Sequence, residues 1–444
     1  MIRAAVWLLV ALCLCGCVNR YHRITAAPAP PKDAPIGSNA FNGILDHLER
    51  GSLHVMQIHG MGSHSAQEDC GEGSENLNLQ NEIALKLKYG LAGGKDAAIT
   101  RSIVKDGMVA GTYSVRRFAD PDSDRNHDLF FSCITWGETG KVVKRKLLEL
   151  EDDFTEKAEN EKHRVWINSQ AKRFVNGSFA DPVIYLGGMG PYIRDVVWQG
   201  IVASTSHVAA MNAKKSLTAL TAVEKADAMR SFGSQGYVAI MSDSLGSRIV
   251  FDLVCEQSEA LCQGTPLAAV GPKAEMAPYQ KRTLAAGSAD ALVQYQLEHR
   301  VVSMYMLANQ LPLLELAYYI PTDDGVPLNL ALDRLMSGNH GCYRPLPGLL
   351  APSEDAASSD TASVEVVAFT DPNDALSYHL TDAFARRCVP VYPSESQAPL
   401  RLINVTLPNA KARYLFVYSN LVKAHSSGFK DNPRAIDLMT FGHH

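Results

Sequence analysis

Short apolar runs recur along the chain, separated by longer stretches of mixed character. The runs at 52–58 (SLHVMQI), 128–136 (DLFFSCITW) and 236–242 (GYVAIMS) have the length and composition of buried strands. Further runs begin at His299 (HRVVSMYML) and fill 364–370 (VEVVAFT), 400–407 (LRLINVTL) and 412–418 (ARYLFVY). Between them, apolar residues fall at helical spacing. A short helix is expected over 41–50, helices across 139–230, another from Gly246, and a last one within SSGFKDNPRAIDLMTFG. Strands that alternate with helices predict an α/β fold with a mostly parallel sheet flanked by helices. Strand signals lie on both sides of 139–230, so this stretch is expected as a large helical insertion in one domain spanning 41–444. A second, irregular insertion is expected around 315–362, where SEDAASSDTAS reads as an exposed loop.

The N-terminus departs from this pattern. Arg3 precedes an apolar run from Ala4 to Leu14, followed by Cys15-Gly16-Cys17. A basic residue, a short apolar core and a small-residue site are the parts of an export signal. The run is shorter than the roughly 20 residues a spanning helix needs. Leu14-Cys15-Gly16-Cys17 resembles the bacterial lipobox, which implies a signal peptide over 1–17 and acylation of Cys17. Val18 after that cysteine implies the outer membrane of a bacterial envelope rather than the inner one. Several acyl chains on one residue would hold the protein on a membrane. The Pro- and Ala-rich residues 18–40 are expected to be an extended tether.

Composition changes this reading little, and charge excludes one class. The net charge is −5 with no long basic run, which argues against nucleic acid as a partner. Of nine cysteines, Cys13, Cys15 and Cys17 lie in the leader. The remaining even number fits disulfides in an exported chain, with Cys255 and Cys262 the favoured pair. No Cys-x-x-Cys spacing suggests a zinc site.

The candidate chemistry starts at Ser242-Asp243-Ser244-Leu245-Gly246, where the strand at 236–242 meets the next helix. Small residues stand two positions either side of Ser244. A strand turning sharply into a helix crowds its backbone and needs such flanks. The turn would expose the Ser244 hydroxyl above a helix N-terminus, whose N–H groups and dipole suit a developing oxyanion. A Ser-rich turn capping a helix reads the same pentapeptide without chemistry. The segment resembles the nucleophile elbow of α/β-hydrolases, Gly-x-Ser-x-Gly, with Ser242 in place of the first glycine.

Three further segments carry that resemblance. His59-Gly60-Met61-Gly62 follows the strand at 52–58, as a His-Gly loop follows an early strand in the family. The resemblance makes the Met61 and Leu245 N–H groups the oxyanion hole, with His59, Gly60 and Gly62 shaping the loop. VEVVAFTDPNDALSYHL offers an acid after a late strand, and two candidates stand there, Asp374 and Asp371. The Asp374-Ala375-Leu376-Ser377 segment is similar to the family's Asp-x-Leu/Val and favours Asp374, while Asp371 beside Pro372 suits a turn. His425, in AHSSGF before the last helix, resembles the family's catalytic histidine. Of the histidines considered, including His64, His207 and His379, only His425 follows both Ser244 and Asp374 and lies in that kind of loop; His443 and His444 lie at the chain end.

The resemblance implies a membrane-anchored esterase- or lipase-like serine hydrolase. It would cleave carboxylic esters, lipid-like ones among them, through an acyl-enzyme, with no metal or organic cofactor. A catalytically inactive hydrolase-fold lipoprotein, used for binding or scaffolding in the envelope, is the alternative.

Overall fold

The computed structural model describes residues 22–27, 39–62, 69–92, 98–120, 127–148, 168, 171–172, 175–257, 287–315, 364–372, 374, 376–381, 401–408, 413–414, 417–418, 425 and 428–444. In chain order these form β1 (Arg23–Ala27), α1 (Ile44–Leu48), β2 (Leu53–Ile58), α2 (Glu75–Lys86), β3 (Gly90–Leu91), β4 (Ala98–Lys105), β5 (Met108–Ala119) and β6 (Leu129–Thr135). Then come α3 (Gly137–Leu147), α4 (Ala180–Leu186), α5 (Gly190–Asn212), α6 (Ala222–Gln235), β7 (Tyr237–Asp243), α7 (Leu245–Gln257), α8 (Ala289–His299) and β8 (Val301–Leu307). The last are α9 (Leu311–Glu315), β9 (Glu365–Thr370), β10 (Arg401–Thr406), β11 (Arg413–Tyr414), β12 (Val417–Tyr418) and α10 (Pro433–Phe441).

One mixed sheet of ten strands organises these elements, in the order β1-β10-β9-β8-β7-β2-β6-β5-β3, with β4 also paired to β5. The six strands from β10 to β6 are parallel to one another. Each side of this block ends in antiparallel pairing, β1 on β10 and β5 on β6. The expected strands β2, β6, β7, β8, β9 and β10 form its centre. Their runs carry apolar residues on both faces because both faces are covered, as parallel sheets require.

Alternation along each strand divides the core in two. Met56, Ile58, Phe130, Ile134, Ile240 and Met304 pack beneath α5, α6, α7 and α8. Leu53, Val55, Phe131, Met241, Tyr305 and Phe369 pack beneath α1, α2 and α10. The described part of 139–230 forms a layer of this fold. Helix α5 lies on β5 and β6 and buries Ile193, Val196, Val197 and Trp198. Two histidines sit in the packed layers. His54 Nε2 bonds Ser132 Oγ at 2.9 Å, and His47 Nε2 bonds Ser303 Oγ at 2.7 Å. Burial lowers the pKa of each to about 3, with Arg50 adding to the effect at His47.

The stretch 18–40, expected as a tether, contains β1, which adds an edge strand with Arg23 opposite Thr406. Extended backbone beside an unpaired strand edge is captured by its hydrogen-bonding groups whatever its side chains, so composition alone misleads here. The described disulfide joins Cys70 to Cys133, with Cα atoms 5.8 Å apart, and closes a separation of 63 residues. In the chain-entropy account such a closure stabilises by about 4 kcal/mol. The favoured Cys255–Cys262 pair depends on Cys262, which lies outside the described residues, as do 1–17 with Cys17, and 316–362.

Candidate active site

The parallel block reverses its direction of growth at one place. From β2 the chain adds β6 on one side, and later β7, β8, β9 and β10 on the other. A crevice opens at the carboxyl ends of strands where such a reversal occurs, and ligands bind there. At the carboxyl end of β7 stands Ser244, and at that of β2 the loop His59–Gly62.

Ser244 has φ +51, in the left-handed region where a non-glycine residue is strained by about 1–3 kcal/mol. Two bonds hold it there. Its N–H donates to the Leu307 carbonyl at 2.7 Å, and its carbonyl accepts the Ser247 N–H at 3.1 Å. Ser242, the position that departs from glycine, is fully buried, and its hydroxyl pairs with Ser247 Oγ at 3.0 Å. The substitution therefore fits the turn. Two glycines are fixed by close approach. A Cβ on Gly60 would meet the Asp243 carbonyl at 2.3 Å, and one on Gly246 the Ile58 carbonyl at 2.7 Å. The loop after β2 and the start of α7 thus touch backbone to backbone.

Three side chains from distant segments meet in series. The Ser244 hydroxyl lies 2.6 Å from His425 Nε2, and His425 Nδ1 lies 2.7 Å from Asp374 Oδ2. All three are buried, with 5% to 7% exposure. The other Asp374 oxygen accepts the Leu376 N–H at 2.9 Å, and the Asp374 N–H donates to the Asp371 carbonyl at 3.0 Å. Asp371 is buried in the same turn, but Asp374 is the acid brought to the histidine. Asn309, after β8, clamps this turn. Its carbonyl accepts the Tyr378 N–H at 2.8 Å, and its amide donates to the Tyr378 carbonyl at 2.9 Å.

The facing loop is held independently. The His59 carbonyl accepts the Trp136 indole N–H at 3.1 Å, and His59 Nε2 stands 3.5 Å from the Asp69 carboxylate. The Gly62 N–H donates to Asp181 Oδ2 at 2.7 Å, and Lys144 Nζ lies 2.7 Å from Asp181 Oδ1. Leu245 is the first residue of α7, so its N–H belongs to the unbonded first turn of that helix. A cavity of about 470 Å³ lies beside Ser244 and His425, lined by His59, Gly60, Met61 and the segment from Glu72 to Asn76. Lys430 also lines it and pairs with Asp243 at 2.6 Å. Burial pulls the lysine pKa down, but Asp243, with Glu75 and Asp69, outweighs it and raises the value above that of an ordinary lysine.

The remaining histidines stand apart from this series. His207 on α5 bonds the Ala203 carbonyl, His379 bonds Thr406, and the backbone of His443 pairs with Phe41. His444 contacts the Phe441 carbonyl, and His64 lies outside the described residues. Sequence reasoning passed over Gln310, Asp181 and Lys430. Gln310 Nε2 is 3.2 Å from His425 Nε2 and 3.6 Å from the Met61 sulfur. Its place just past β8, at the carboxyl edge of the sheet, was the available signal. Asp181 and Lys430 carry no local pattern that marks them.

Chemically, a hydroxyl bonded to an imidazole that is bonded to a carboxylate can pass a proton from oxygen to nitrogen. No group of metal-ligating side chains occurs among the described residues. A scan against protein-family models finds no match for this chain, and searches of curated proteins and of solved structures find none either.

Proposed function

We propose that this protein is a serine hydrolase of the α/β-hydrolase kind that cleaves carboxylic esters through an acyl-enzyme. The observation that carries the reading is the unbroken series Ser244–His425–Asp374 at 2.6 and 2.7 Å, with Ser244 held at a strained strand-to-helix turn. Ser244 Oγ attacks the ester carbonyl while His425 takes its proton. Asp374 fixes the imidazole by accepting from Nδ1 and stabilises the imidazolium. The Met61 and Leu245 N–H groups hold the oxyanion. Their assignment is supported by Met61 lining the cavity and by Leu245 opening α7. His425 then protonates the leaving alcohol. Water, deprotonated by the same histidine, releases the acid.

The cavity is of small-molecule size. Export and acylation of Cys17, as the lipobox resemblance implies, would put the protein on a bacterial envelope membrane, where lipid esters are within reach. The Cys70–Cys133 disulfide fits an oxidising compartment.

A fluorophosphonate probe tests the reading. The wild-type protein is expected to be labelled on Ser244, and Ser244→Ala to lose the label. A folded wild-type protein that resists the probe would sink the hydrolase reading and favour a binding or scaffolding role.

A further inference from the structure

The edge strand β1 determines where the N-terminal segment joins the folded body. Arg23 is opposite Thr406, the last residue of β10, and Thr406 is opposite Thr370, the last residue of β9. One step before that row, Phe369, Leu307 and Asp243 stand side by side on β9, β8 and β7. Arg23 and Ser244 therefore occupy one register row at the carboxyl rim of the sheet. Four strand spacings separate them in the order β1-β10-β9-β8-β7, or about 19 Å at about 4.8 Å each.

The same pairing limits the reach to the membrane. From Cys17 to Arg23 the chain advances 6 residues (23 − 17), which span at most about 21 Å. A free tether over all of 18–40 would leave the orientation of the body open. Pairing of β1 narrows that freedom, because the chain enters the body at the rim that carries Ser244, not at the amino ends of the strands. The rim also exposes side chains suited to a lipid surface. Arg23 is exposed and cationic, and Tyr378, 38% exposed, presents an amphipathic ring of the kind enriched at headgroup level.

We infer that acylated Cys17 holds the Ser244 rim against the bilayer, and that the substrate is an ester lipid of that same bilayer. This rests on the serine hydrolase reading and on acylation of Cys17. The ester C–O bond breaks as the Ser244 acyl bond forms, the alcohol leaves with the proton from His425, and water releases the fatty acid.

The test lengthens the anchor without touching the body. A flexible Gly/Ser segment of about 30 residues is inserted between Asn19 and Arg20, which gives a coil about 30 Å across. Full-length wild-type and inserted lipoproteins are placed in mixed vesicles of phosphatidylethanolamine and phosphatidylglycerol, and fatty-acid release is measured. Turnover of a short-chain soluble ester is measured in parallel. The insertion is expected to reduce vesicle hydrolysis about 10-fold or more, through lost effective concentration, and to leave soluble-ester turnover unchanged. Equal vesicle hydrolysis by the two proteins would overturn the inference while the hydrolase reading stands. Mass spectrometry of the N-terminal peptide that finds no acyl group on Cys17 would overturn it through the anchor. Absence of soluble-ester turnover in the wild type would instead remove the hydrolase reading beneath it.

Discussion

Asp374 receives the Nδ1–H of His425 at 2.7 Å across 51 residues of chain, while Asp371, three residues earlier, accepts the Asp374 N–H on its backbone carbonyl. The two acids therefore have separable consequences. Asp374→Asn keeps the shape but turns an amide toward the imidazole, and should lower kcat on a soluble ester by about 10,000-fold. Asp371→Asn, in the same turn, should stay within about tenfold of wild type. Steady-state kinetics of both variants decides the matter, and a reversed ranking would reassign the acid.

Gln310 places its amide nitrogen 3.2 Å from His425 Nε2, beside the hydroxyl of Ser244. From there it can steady the imidazole or, in the proposed mechanism, the water that attacks the acyl-enzyme. Gln310→Ala should lower kcat by about 10- to 100-fold with little change in KM, as loss of a preorganised donor does. An unchanged kcat would make the residue a packing element. Thermal unfolding of the same variant, close to wild type, would show that the loss is not one of folding.

Asp181 and Lys144 form an ion pair with about 1% exposure on each side, and the carboxylate also holds the Gly62 N–H. Asp181→Ala would strand a buried ammonium, which costs about 3–5 kcal/mol. Denaturant unfolding should record that loss. Removing both charges with Asp181→Leu and Lys144→Met should recover much of the stability but not the turnover, because the Gly62 N–H still lacks its acceptor. Full recovery of activity would show that the carboxylate does not position the loop.

His47 and His54 set an acid limit to stability. Their folded pKa values of about 3 lie below the unfolded value near 6.5, so the unfolded chain binds more protons between those limits. The stabilisation is complete above about pH 6.5 and is lost as pH falls toward about 3, by roughly 2 kcal/mol per histidine at pH 5. Urea midpoints measured from pH 7 down to pH 5 should fall accordingly. His54→Gln, which keeps a polar partner for Ser132, should flatten that slope. A midpoint independent of pH over this range would contradict the burial of both rings as neutral groups.

The sequence revealed those parts of the fold whose causes are local. β2, β7, β8 and β9 are apolar on both faces, and the small residues around Ser244 answer to backbone crowding within a few positions. His425 and Asp374 were legible through their order and their loops. The antiparallel β4–β5 hairpin was passed over because its outer strand is mostly exposed and weakly patterned. Its turn, Asp106-Gly107 with φ +52 and +76, is the Asp-Gly signal of a tight hairpin. β1 was hidden for another reason, since its pairing draws on backbone groups that composition does not record. Gln310, Asp181 and the Cys70–Cys133 pair acquire their roles only from neighbours brought in by the tertiary fold.

The separation of 181 residues between Ser244 and His425 has a consequence for biosynthesis. On the hydrolase reading, a chain made from its N-terminus presents the serine long before the base proposed to activate it. Lys430, which braces the residue before the serine, and α10, which packs on the sheet beneath, come later still. A prematurely ended chain thus carries a nucleophile without a proton acceptor. On that reading the hydroxyl gains its proton acceptor only when the final segment closes on the sheet.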